Sequence, residues 1–272
     1  MLRSMYSGIS GMKGFQTKLD VIGNNIANVN TVGFKKSRVM FQDILNQNIS
    51  GASAPTGDGI GGVNPKQVGL GVQTASIDVV HSPGSPMTTN LISDLSIEGD
   101  GFFIVSPSQD GEARYLTRAG NFTRDADGFL VNAQGMYVLD SGGAPIQISR
   151  EEFVSYSIGR NGSINKTDAA GVTTVDQTIG MFTVSNPGGL KKIGGSLFEM
   201  TTNANPGGAT EVEPTDPTTA SSTIVSGTLE MSNVDLTEEF TEMIVAQRGF
   251  QANSRIITTS DSILEELVNL KR

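Results

Sequence analysis

Between Leu236 and Val268 the apolar residues obey a spacing that few folds can satisfy. Leu236, Phe240, Met243, Phe250, Ile257, Leu264 and Val268 fall on steps of four and three, with Gln247, Ser254 and Asp261 completing the run. Sustained for about five heptads, or roughly 50 Å at 1.5 Å per residue, this stepping writes a helix with one narrow seam that packs against another helix. Asp235 is a good N-cap, and Glu238 completes a capping-box-like pair. Glu239 and Glu242 complement the positive end of the helix dipole, Lys271 and Arg272 the negative end. The polar residues on the seam weaken a two-helix zipper but can fix its register or face other copies.

A matching seam occurs at the other end of the chain. Leu2, Met5, Ile9, Met12, Gln16, Leu19 and Ile26 recur at helical spacing. Gly8, Gly11, Gly14 and Gly23 sit inside the same stretch, and each mid-helix Gly costs about 0.8–1 kcal/mol relative to Ala. A helix so penalised needs a partner, within the chain or in neighbouring copies. Ser4–Gly8, Ser7–Gly11 and Ser10–Gly14 place small residues four apart, one above another, where a second backbone can come close. The two ends of the chain are therefore expected to meet. Around Ile26 lies a run rich in asparagine, Asn24, Asn25, Asn28 and Asn30, then Thr31 and Gly33, from which a helix cap is expected.

Between these ends the character changes. Lys35–Gln47 reads as a second short helix with Phe41, Ile44 and Leu45 on one side. Residues 48–71 are rich in Gly, Pro and Ser, with Gly51, Pro55, Gly57, Gly59, Gly61, Gly62 and Pro65, and read as a long hinge loop. From about residue 72 onward short apolar runs alternate with turn signals. Examples are Leu95-Ser96-Ile97 and Phe102-Phe103-Ile104-Val105, separated by Gly99-Asp100-Gly101, and later Asp110-Gly111, Asp127-Gly128 and Gly142-Gly143. That pattern predicts an all-β domain, a barrel or sandwich, interrupted by a polar loop over 202–222. The fold class expected is α+β: a helical domain from 1–34 with 234–272, a connector over 35–75, and a β domain over 76–233.

Composition narrows the chemistry. The chain has 33 Gly, 10 Pro, no Trp and only 37% hydrophobic residues, a sparse core with many turns. Its formal net charge of -9 argues against a nucleic-acid binder, which needs a basic face. With no Cys there are no disulfides, thiolate nucleophiles or thiolate metal sites, and one His, His81, cannot build a triad or a zinc site. No run reaches bilayer-spanning length, and Ser4, Ser7, Gly8, Ser10 and Gly11 interrupt any secretory signal, so export without a cleaved signal or a cytoplasmic location is expected. Asp125-Ala126-Asp127-Gly128 imitates a calcium loop but lacks the later Glu ligand, so it reads as a β-turn. Gly99-Asp100-Gly101 lacks the rest of a dinucleotide fingerprint. His81, beside Ser82-Pro83-Gly84, reads as a turn residue. No catalytic, cofactor or metal site is expected, and the chain does not read as an enzyme.

Three separated blocks carry a family resemblance: NNIANVNTVGFKKSR at 24–38, DLSIEGDGFFIV with YLTRAGNFTRDADGFLV at 94–131, and SNVDLTEEFTEMIVAQRGFQANSRIITTSDSILEELVNLKR at 232–272. They resemble the rod-and-hook family of bacterial flagellar axial proteins. The family signature falls here on Asn24, Asn25, Asn28, Thr31, Gly33, Phe34 and Lys35. The resemblance implies a helical tubular homopolymer whose terminal helices pair antiparallel around an export channel, inside an outer layer of β domains. The implied partners are further copies of the chain, the distal rod, hook cap and hook–filament junction proteins, and the type III export apparatus, with no nucleic acid and no membrane insertion. The implied place is the extracellular flagellum. The closing block is worded most like the hook members, which act as a bending universal joint. The stiff distal rod is the alternative, and a secreted adhesive or carbohydrate-binding β protein a remote one.

Overall fold

Asp235 caps the long C-terminal helix as its sequence requires. Its carboxylate accepts the Thr237 N–H at 2.8 Å and the Glu238 N–H at 3.4 Å, and helix α2 then runs Leu236–Asn269. The computed structural model describes residues 2–54, 61–149, 152–205, 211–218 and 222–270, and of Leu2 the backbone alone. Pro55, Gly57, Gly59, Lys271, Arg272 and the Leu2 side chain lie outside the described residues. The chain divides into two compact units: 1–27 with 37–79 and 235–272, and 28–36 with 80–234. The fold class is α+β.

In the first unit helix α1, Leu2–Ala27, lies antiparallel to α2. The direction follows from its contacts: Lys18 pairs with Glu242, Asn25 with Glu239, and Gly11 faces Asn253. The rest of this unit is a long β ribbon. Strand β1, Ser37–Asp43, pairs antiparallel with β4, Val72–Val79, with an irregularity between Met40 and Phe41. Further out β2, Asn46–Ser50, pairs with β3, Lys66–Gly69, and Ser53 bridges to Val63.

The ribbon corrects two expectations. The short helix over Lys35–Gln47 does not form, because its backbone groups are taken by a strand lying some thirty residues later in the chain. A pairing that distant leaves no local trace, and Phe41, Ile44 and Leu45 fit either periodicity over so short a run. The supposed hinge loop is strand over much of its described length. Of its expected residues, Gly51, Gly61, Gly62 and Pro65 lie outside the strands, between β2 and β3.

The described strands of the second unit all pair antiparallel, with one short 3-10 turn at Pro187–Gly189. Strands β5 (Pro86–Thr88), β6 (Leu95–Glu98), β7 (Phe102–Ser106) and β8 (Tyr115–Thr117) open it. Strand β7 is central to the main sheet, flanked by β8 and Tyr137–Val138, with Met181–Phe182 also pairing to it. All five of its residues are buried, as expected of an unbroken apolar run. Phe103, Val105, Phe122, Leu130, Ile146 and Ile179 form the heart of the core, each at most 1% exposed. Phe153–Ile158, Ser163–Asp168 and Thr173–Thr178 form a separate three-stranded sheet. Thr223–Ser226 adds to β6, and Thr228–Glu230 to β5. That last pairing brings Glu230 into the interior.

Candidate assembly face and signature cluster

The α1–α2 pair is built on small residues. Gly8, Gly11 and Gly14 are buried, together with Ile22 and Asn25. A Cβ on Gly11 would stand 2.8 Å from Asn253 Nδ2, and one on Gly249 only 2.5 Å from the Phe15 ring. Phe15 in turn meets Phe41, ring centroids 6.0 Å apart. Gly11 and Gly249 are thus notches that admit a side chain of the opposing helix, where a larger residue would force that side chain to move, whereas Gly14 faces Phe41 of β1.

This rotates α1 away from the orientation its apolar seam predicts. Met5, Met12, Leu19 and Ile26 are only half-buried and Ile9 is 37% exposed. Close backbone approach along the glycine face turns the Met5–Ile26 seam to the flank. Helix α2 shows the same offset. Met243, Ile257 and Leu264 are half-buried as expected, but Leu236, Phe240, Phe250 and Val268 are exposed, and Glu239, Ala246 and Ser260 are buried instead.

Polar groups lock the pair. The Asn25 amide donates to Ser37 O at 2.9 Å and accepts the Ser37 N–H at 3.0 Å, imitating a ladder pair at the start of β1. It also donates to the buried Glu239 carboxylate at 3.2 Å. One asparagine thereby ties helix, strand and partner helix, which explains why an amide stands at a buried helical position. Asn24, beside it, is exposed.

The other signature residues lie in the β unit. Asn28 O accepts the Thr31 N–H and Asn28 Oδ1 the Thr31 hydroxyl, both at 3.1 Å. Gly33 has φ +66°, and its N–H donates to Glu230 O at 2.8 Å. A Cβ there would lie 2.5 Å from Ala119 N, so only glycine fits. Lys35 follows, 1% exposed, with Nζ 2.6 Å from Glu230 Oε1 and 2.8 Å from Ser82 O. Arg118 Nη1 reaches Glu230 Oε2 at 3.3 Å, and the Gly84 N–H donates to Oε1 at 3.0 Å. Burial lowers the Lys35 pKa, and the Glu230 charge opposes that fall. Asn233 completes the cluster: its Oδ1 accepts the Lys36 N–H at 2.7 Å and its amide donates to Val80 O at 2.8 Å. Sequence reasoning missed Glu230, Arg118 and Asn233. Opposite charges in or just beyond short strands, Leu229-Glu230-Met231 and Leu116-Thr117-Arg118, were the available signal, since buried charges must be paired.

His81 lies between Phe102 and Phe198, centroids 5.8 and 5.4 Å away, rather than in an exposed turn. Neither ring nitrogen makes a full hydrogen bond among the described residues. Burial first, then Lys35, Arg118 and Lys192, pull its pKa from 6.5 down to about 4, against a weak opposing pull from the Pro187 backbone. Lys192 itself sits over the Phe34 ring at 3.7 Å, its pKa lowered by burial. Above pH 6.5 His81 is neutral in folded and unfolded chains alike. Between 6.5 and 4 only the unfolded chain takes up the proton, so the contribution of neutral His81 to stability is lost as pH falls through that window. The unfolding midpoint should therefore drop across it, and His81→Phe should flatten the slope; an equal slope in both proteins would refute this.

Three family models match the chain: "Flagella basal body rod protein" over residues 5–35, "Flagellar hook protein FlgE/F/G D1 domain" over 96–166, and "Flagellar basal body rod FlgEFG protein C-terminal" over 225–270. The flagellar basal-body rod protein FlgG of Bacillus subtilis is 54% identical over 272 residues, covering all of both chains. The chain belongs to the flagellar rod and hook family. In Borreliella burgdorferi, members of this family under both names match it over the full length of each chain. The hook protein FlgE is 30% identical over 449 aligned positions, and the basal-body rod protein FlgG 37% identical over 276. These are structural components of the flagellum, a family not known for enzymes. Among the described residues no helix of this flagellar axial protein is long and apolar enough to cross a membrane.

Proposed function

We propose that this chain is the subunit of the flagellar hook, polymerising into a curved, flexible tube that transmits torque from rod to filament. The observation that carries polymerisation is a second apolar stripe on α2. Val245, Ala252, Ile256, Ile263 and Leu267 lie one above another, about a quarter-turn from the face that meets α1. All five are exposed, the four larger ones between 43% and 54%. An apolar seam of such length left open in one subunit is a surface for a second helix, here that of another copy. The paired helices then line the export channel, and the β1–β4 ribbon, with exposed Leu45, Ile49, Val63 and Val68, takes up sliding between neighbours. The partners on this reading are the distal rod, cap and junction proteins and the export apparatus, at the extracellular end of the basal body.

Hook rather than rod is supported by the closing SNVDL and EMIVAQRGFQ wording. It is also supported by the comparison within one organism: about 135 identical positions with the hook protein (30% of 449) against about 102 with the rod protein (37% of 276). The long alignment lowers the hook percentage because the relative carries extra sequence. The distal rod is the second reading, favoured by the name of the 54% identical Bacillus relative.

Two experiments test these levels separately. Ile256→Lys with Ile263→Lys should abolish assembly in sedimentation while the β unit unfolds as before; tubes of normal length would refute the stripe. Electron microscopy of the wild-type polymer then decides between the two readings, curved supercoiling tubes meaning hook and straight rigid ones rod.

A further inference from the structure

Asn161-Gly162 is the only Asn-Gly dipeptide in the chain. It stands at the tip of the hairpin joining Phe153–Ile158 to Ser163–Asp168. The turn is closed by the Gly159 N–H donating to Ser163 O at 2.8 Å and the Gly162 N–H to Gly159 O at 2.9 Å, with Gly162 at φ +75°. The exposed Asn161 side chain folds forward over its own following peptide. Its Oδ1 accepts the Ser163 N–H at 3.3 Å and the Ser163 hydroxyl at 2.7 Å. A side chain held this way keeps Cγ near the Gly162 nitrogen. Both donors point at the oxygen that gains charge if Cγ is attacked, and such bonds strengthen as that charge develops. The attacking residue carries no Cβ to obstruct it.

We propose that Asn161 is a self-modifying site, at which the Gly162 backbone nitrogen cyclises onto the Asn161 side chain with Ser163 as oxyanion donor. The turn bond from Gly162 to Gly159 opens first, in a turn whose Asn161 is exposed while Gly162 itself is buried beside Pro217 and Ile224. Hydroxide removes the Gly162 N–H proton, and the nitrogen bonds to Cγ, leaving negative charge on Oδ1 between the two Ser163 donors. The intermediate collapses, the Cγ–Nδ2 bond breaks, and Nδ2 leaves as ammonia after taking a proton from water. Water then opens the five-membered imide at either carbonyl, leaving aspartate or isoaspartate at position 161. No oxidant or cofactor enters. The product adds a carboxylate to the rim of the three-stranded sheet, and in its isoaspartyl form one extra backbone atom at the turn. The inference does not depend on whether the chain is hook or rod.

The full-length protein, incubated at mildly alkaline pH and sampled by peptide mapping with isoaspartate detection, tests this. Acid and isoaspartate should accumulate at 161 well ahead of every other asparagine, at a rate that rises with hydroxide. Ser163→Ala, which removes the hydroxyl alone, should slow conversion several-fold, and Ser163→Thr should restore it. Asn161→Gln should stop it, because a six-membered ring closes far less readily. Should Asn161 persist while other asparagines convert, or should Ser163→Ala match the wild-type rate, the proposal is overturned.

Discussion

Replacing Glu230 by alanine is expected to destabilise the β unit by about 3–5 kcal/mol, the usual result of removing one partner from a buried ion pair. Glu230 is 3% exposed and is the carboxylate that serves both Lys35, 1% exposed, and Arg118, 4% exposed. Without it two cations stay in the interior with, among the described residues, neutral partners: Ser82 O for Lys35, and Gly99 O and the Phe102 ring for Arg118. Denaturant unfolding of the full chain measures the loss. Glu230→Gln keeps the volume and one acceptor but not the charge, and should fall between wild type and Glu230→Ala. Lys35→Met combined with Glu230→Met should recover a large part of the loss, because removing both charges removes the need for pairing, although Arg118 then remains. A Glu230→Ala protein with an unchanged midpoint would mean the cluster contributes nothing to stability.

The second large effect is expected in the helix pair. Gly249→Leu places side-chain atoms where the Phe15 ring now lies, 2.5 Å from the Cβ position. Overpacking of this kind costs about 1–3 kcal/mol. Because Gly249 lets the Phe15 ring in between the two helices, the clash should part them rather than be absorbed locally. Hydrogen exchange over α1 should accelerate strongly, and assembly should fail with it. Gly23 is the control. Nothing lies within 4 Å of a Cβ built on it, so Gly23→Ala should stabilise α1 by about 0.8–1 kcal/mol and leave the pairing intact. Equal protection of α1 in the Gly249→Leu and Gly23→Ala proteins would remove the notch explanation.

These two residues also show what could be read from the chain. The spacing of Gly8 and Gly11 with Ser4 and Ser7 suggests a route to close helix approach, whereas Gly14 meets Phe41 of β1 instead. Gly249 carried no such signal, because its role depends on an aromatic ring more than two hundred residues away. Asp235 was legible as a cap because capping acts over three residues. The strand β1 was misread as helix because its partner β4 begins at Val72, and periodicity over so short a run cannot reveal a non-local pairing. The place of His81 between two phenylalanines, rather than in a turn, could be seen only once β7 and Leu197–Glu199 were folded beside it.

What the sequence by itself determined is therefore whatever acts at short range or by repetition. That covers two long terminal helices, a β-rich middle, the Asp235 cap, the absence of thiol chemistry, and the family to which three separated blocks belong. Which face of each helix turns inward was decided only by the tertiary structure. The apolar stepping defined a seam, but a buried line of glycines permits closer packing than a line of methionines and leucines, and dispersion rewards the closer approach. The same structure gathered Lys35, Arg118 and Glu230, separate in the chain, into one buried cluster. A charge can be buried only beside its counter-charge, and where that counter-charge lies is a property of the fold.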